Sequence, residues 1–146
     1  MDELISRINT VTTQYLERFG RTRVAVYHLV MAPEHSFSNF LNSLMITLRR
    51  KDLMPCYFWF STAAPDSRYL ILWCNGYFKT DLSDINQIAA HQAALHFLKS
   101  FCTIECLIGD ISQASVINTR LISIFSNCYS PLAQYHQRSF GASAPL

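Results

Sequence analysis

At 146 residues with a formal net charge of +2, the chain has the length of one domain that buries about two-thirds of its unfolded surface. Half of its residues are hydrophobic and only 15% are charged, below the average of about a quarter, which excludes a disordered polyelectrolyte. The pI near 8.3 neither demands nor excludes nucleic acid, since a strong electrostatic case needs a pI above about 9 and a clustered basic face.

Five cysteines, Cys56, Cys74, Cys102, Cys106 and Cys128, make an odd count without a CxxC pair. The opening MDELISRINT has no apolar signal region, and no apolar run approaches the ~18 residues of a membrane span. The expectation is a cytoplasmic protein with no membrane contact, its thiols reduced and mostly buried as small hydrophobes.

Residues 2–19 place Leu4, Ile5, Ile8, Val11, Tyr15, Leu16 and Phe19 at helical spacing, with Gly20 as the C-cap. Residues 21–33 are rich in β-branched side chains and stop at Pro33, which predicts a strand. Ser36 or Ser38 then caps a helix with Phe37, Phe40, Leu41, Leu44, Met45 and Leu48 on one stripe. Arg49, Arg50 and Lys51 suit its C-terminal end.

The stretch 55–75 reads as a β-hairpin, CYFWF and YLILWC around the turn-forming AAPDSR. Both runs are nearly continuous in apolar side chains, so both faces should be covered and both strands central. Trp59 and Leu72 are expected in the core. Asn75-Gly76 is a second turn signal. Asp81 or Ser83 caps a helix from 84 to about 100, residues 102–109 form a strand broken by Gly109, and a last helix runs from Ser112 to near Pro131.

The order is α-β-α-β-β-α-β-α. Its middle predicts an α+β domain, a ferredoxin-like split βαβ with a four-stranded antiparallel sheet and helices on one face. N- and C-terminal helices are added to it. One domain spans 1–146, with 130–146 as an extended or loosely packed tail.

No nucleophile elbow, phosphate loop, dinucleotide fingerprint or zinc spacing is present. His91 and His96 on a helix would point about 140° apart and could not share a metal. His28, inside a strand, reads as structural rather than as a ligand. Glu105, mid-strand, is expected to face solvent, and Cys102 and Cys106 to share one strand face without making a metal site. No cofactor or metal follows from these residues. Arg49, Arg50 and Lys51 form one basic patch, and Arg21 and Arg23 beside Arg18 a second. Together on one edge they would give a weak nucleic-acid contact.

Several segments resemble, in order, the inovirus gene-two-like replication proteins and the related YagK/YfjJ C-terminal domains of phages and prophages. Family members open with a strand like RVDLHFP and carry a strand with a tryptophan. A HYH strand running into LLLNG follows, then SYLAK and a closing RSFGTSR. This chain has RVAVYHLVMAP (23–33), Trp59, SRYLILWCNG (67–76), SPLAQ (130–134) and RSFGAS (138–143). The resemblance covers most of 20–146, and RSFGAS and the strand ending in NG are its most specific parts.

The resemblance implies a branch of the HUH-type replication initiators. In these, two histidines on one strand hold a divalent metal and a tyrosine attacks a DNA phosphate. Carried over by position, the histidines fall at Ser67 and Tyr69, the tyrosine at Pro131 and a supporting lysine at Gln134. None of the four keeps the required chemistry. Tyr129 and Tyr135 lie near the tyrosine position but lack metal ligands to activate them.

The expectation is therefore a non-enzyme in the cytoplasm of a bacterial host. It would act by stoichiometric binding to a protein partner, for instance as an anti-CRISPR-like inhibitor of a host defence complex. A homo-oligomer is compatible with so charge-poor a chain. The alternative is a non-cleaving DNA-binding relic that recognises an origin-like hairpin or single strand, with Tyr57, Trp59, Tyr69 or Trp73 stacking on bases. An active nickase with relocated residues is the third reading.

Overall fold

The apolar runs assemble into an antiparallel sheet with helices on both faces, in a computed structural model that describes residues 2–32, 37–50, 52–61, 66–75, 96–128 and 140–143. Helix α1 (Asp2–Phe19) ends at Gly20, whose positive φ of 81° and N–H bond to the Leu16 carbonyl (2.8 Å) close it. Strand β1 (Arg21–Met31) follows directly. Helix α2 (Phe37–Arg50) starts before Ser38, so that serine lies inside the helix, and Ser36 lies outside the described residues. Leu53 N–H bonds back to the Leu48 carbonyl across Asp52, which takes the left-handed conformation that ends α2.

The hairpin is present as β2 (Cys56–Ser61) and β3 (Ser67–Cys74). Strand β4 (Leu98–Asp110) leads through a 3-10 turn, Ile111–Gln113, into α3 (Ala114–Cys128). Asp110 accepts from Ser112 N–H while Gln113 accepts from Asp110 N–H, a reciprocal cap. The last described strand is β5 (Phe140–Ala142). The sheet order is β4-β1-β3-β2-β5, and every neighbouring pair is antiparallel.

Three expectations are corrected here. Among the described residues the sheet has five strands rather than four, because Phe140–Ala142 of the expected tail pairs with β2. Both faces are covered, as the apolar hairpin requires, with α2 on one and the terminal helices α1 and α3 on the other. The helix expected to about residue 100 cannot extend so far, since His96 and Phe97 form a turn and β4 begins at Leu98; apolar residues at 95, 98 and 101 fit either period, and pairing with β1 selects the strand. Residues 84–95 lie outside the described residues. Trp59 is half-buried rather than buried, whereas Leu72 is 2% exposed as expected.

The two-sided cover follows from strands that are apolar on both faces. Val24 and Val26 of β1, Phe58 and Phe60 of β2 and Ile71 and Trp73 of β3 pack against Ile8, Tyr15 and Leu16 of α1 and Ile117, Leu121 and Ile124 of α3. The alternate residues Ala25, Tyr27, Leu29, Leu70, Leu72 and Cys74 pack against Phe40, Leu41, Leu44, Met45 and Leu48 of α2. Both edges are blunted. β5 is three residues long, and β4 pairs with β1 through two register shifts, which twist an edge away from further pairing. No helix among the described residues is long and apolar enough to cross a membrane.

Candidate functional site

Ser67 and Tyr69, where the resemblance would place the two histidines, alternate onto the α1/α3 face of β3, beside His28 of β1. Their register is fixed by the pairs Val30–Ser67 and His28–Tyr69. His28 Nε2 lies 2.7 Å from Ser67 Oγ, a hydrogen bond in which either group can donate according to the imidazole tautomer. Ser67 is 6% exposed. Tyr69 stands between two rings, with centroids 4.9 Å from His28 and 5.2 Å from Phe60. A row of rings thus crosses β1, β3 and β2, with Ser67 tucked at its end.

This arrangement can share a proton between an imidazole and a hydroxyl. It cannot present two imidazoles to one ion, because the motif positions hold a hydroxyl and a phenol. Among the described residues no three His, Cys, Asp or Glu side chains come together. Pro131 and Gln134, with Tyr129, Tyr135 and His91, lie outside the described residues.

The β-bulge at Ile104 rearranges the far side of this row. Val26 pairs with Glu105 but Tyr27 with Thr103, so Cys102 falls opposite His28 and Cys106 opposite Ala25. Cys102 and Cys106 therefore occupy opposite faces, contrary to the simple alternation expected. Cys102 is exposed, Cys106 half-buried, and Cys56 and Cys74 are buried. Burial pushes the thiols of Cys74, Cys56 and Cys106 up, which keeps them neutral and unreactive. Glu105 turns to α3, where Arg120 donates from Nε and Nη2 to its Oε2, a partly exposed pair worth about 0–1 kcal/mol.

The basic residues gather at one end of the sheet. Arg21 is exposed at the start of β1, and Arg49 and Arg50 are exposed at the end of α2; Lys51 lies outside the described residues. Arg18, at the end of α1, lies at this same end of the sheet, with α1 on one face and α2 on the other. Arg23 is the exception. It is 5% exposed on the α2 face, hydrogen-bonded to Cys106, and is not available to a phosphate backbone.

On that same face, Arg68 lies over the rings of Phe37 (4.7 Å) and Trp59 (5.5 Å). Neither this contact nor the His28–Ser67 pair was legible from composition or spacing. Both depend on cross-strand register, for which only the alternation of polar residues in SRYL and YHLV gave a trace.

No family model, curated protein or solved structure matches this chain.

Proposed function

We propose that the chain is a catalytically inactive relative of phage and prophage replication initiators that binds a protein partner stoichiometrically. The observation that carries this reading is the engagement of Ser67 and Tyr69, the motif positions, in contacts with His28 and Phe60 within the sheet. Side chains so committed stabilise the fold and hold no ion. The strand geometry supports the ferredoxin-like plan as well. β1 and β2 are both antiparallel to the β3 between them, and β3 and β4 are both antiparallel to β1. β1–α2–β2 is a βαβ unit split by the inserted β3.

A protein contact suits the surface. Ile104, Ile108, Ile111 and Val116 are exposed along and beside β4, and apolar anchors of this kind persist at high salt. One form of partner is a host defence complex, which the protein would inhibit in the cytoplasm. Incubation with single-stranded or hairpin DNA and Mg²⁺ or Mn²⁺ is expected to give no cleavage. A covalent protein–DNA adduct would refute the reading. Affinity capture from cells that carry the element would name the partner.

The arginines at one end of the sheet favour a second reading, a DNA-binding protein that does not cleave. Arg18, Arg21, Arg49 and Arg50 could follow a phosphate backbone, each neutralised phosphate releasing a counterion. The leading reading expects only non-specific affinity, about 10⁻⁴–10⁻⁶ M and falling as salt rises. Sub-micromolar, hairpin-specific binding that survives about 200 mM salt would put the second reading first.

A further inference from the structure

Arg68 pairs across the sheet with Leu29 and Ser61, at the end of β3 remote from the basic cluster. Phe37, the first residue of α2, and Trp59 of β2 meet edge to face, centroids 5.3 Å apart at 74°. The guanidinium lies over both rings. All three side chains are half-buried. Nε of Arg68 is sealed from solvent and has no hydrogen-bond partner among the described residues. Asp66 acts on the guanidinium electrostatically, yet no ion pair joins Arg68 to a carboxylate among the described residues.

We propose that Arg68, held by Phe37 and Trp59, is the anchor that takes an acidic side chain of the partner protein, flanked there by an apolar residue. Aromatic faces restrain the guanidinium plane, so less side-chain entropy is lost when its terminal N–H groups receive a carboxylate in fork geometry. Burial disfavours the charge, lowering the Arg68 pKa, and a bound carboxylate would offset that penalty. The start of α2 adds to the attraction, because a helix N-terminus favours an anion. Trp and Arg in a half-buried cluster are also the composition of energetic hot spots. A phosphate backbone fits less well: it needs a track of cations, and here one arginine stands beside the acidic Asp66.

The anchor rests on the protein-binding reading and can be tested apart from it. A displayed library of random short peptides is selected on the full chain, and winners are assayed on wild type and Arg68→Lys, with folding checked by circular dichroism. Arg68→Lys keeps the charge and removes the planar fork. Selected peptides are expected to share an Asp or Glu beside an apolar residue. Their affinity should fall about tenfold or more on Arg68→Lys, and equally when that acid becomes Asn or Gln, the scale of a lost charge-assisted hydrogen bond. The peptide-side change keeps the test valid even if the protein variant folds poorly. Peptides without an acid, peptides that bind Arg68→Lys unchanged, or no enrichment would each overturn the anchor. The first two would leave protein binding standing. An oligo-dT probe whose binding depends on Arg68 would overturn it in favour of a phosphate. A covalent DNA adduct would instead sink the parent reading and leave the peptide result intact.

Discussion

Replacing Trp73 with alanine is expected to lower the free energy of unfolding by about 3–5 kcal/mol. Trp73 is fully buried in β3, with Ile8, Tyr15, Val24 and Ile117 in the same cluster. Its truncation removes a large apolar area and leaves a cavity that helices on both flanks cannot readily fill. The indole also carries a polar duty. Nε1 donates to Thr12 Oγ1 at 3.1 Å, and that hydroxyl in turn donates to the Ile8 carbonyl of α1. Thr12→Val keeps the shape and strands the indole N–H, so it should cost a smaller amount, about 1–3 kcal/mol. Against the roughly 5–15 kcal/mol of stability usual for a domain, the first loss is a substantial share. Urea denaturation monitored by far-ultraviolet circular dichroism measures both. An unchanged midpoint for Trp73→Ala would mean that the α1/α3 layer is not the core of this protein.

The central hairpin was legible because its two short runs are apolar at nearly every position and flank a turn-forming AAPDSR, the pattern of strands covered on both sides. The same pattern called for cover on both faces, which α2 supplies on one side. α1 and α3 supply the second cover. β5 was invisible for a different reason. Three residues, Phe140–Ala142, carry no periodicity, and their strand character comes from pairing with β2 alone. At Leu98 the periodicity was ambiguous, and pairing with β1 decided.

The candidate site was legible in its identities and not in its contacts. Ser67 and Tyr69 could be picked out by position, and His28 could be read as structural from its place in a strand. That these three would meet required the β1–β3 register, which aligns His28 with Tyr69. The cysteine faces failed on a single inserted residue. A bulge reverses every alternation beyond it, so Cys102 and Cys106, four apart in sequence, separate to opposite sides. Arg23 looked like a surface cation beside Arg21, and alternation puts both on one face of β1, but Arg21 stands at the strand's open end whereas Arg23, one step further in, is covered.

Gly141→Ala is expected to destabilise the protein by about 1–3 kcal/mol, through overpacking at one glycine. Gly141 of β5 pairs with Trp59 of β2, and the indole lies across the glycine. A β-carbon there would sit 2.6 Å from Trp59 Cε2 and 2.8 Å from Cζ2, and closer still to Nε1. No flexible chain end is available to yield, because the obstacle is a rigid ring held against Phe37 and Arg68. Either the indole rotates and breaks those contacts, or β5 peels from β2 and gives up the bonds that Ser143 makes to Tyr57. The clash is specific, so it has a specific relief. In a Trp59→Leu background the alanine should cost much less than in wild type, a coupling of about 0.5–3 kcal/mol between the two positions. Thermal melts of the two single variants and the double variant close the cycle. Additive losses would show that Gly141 matters for its backbone and not for the indole that covers it.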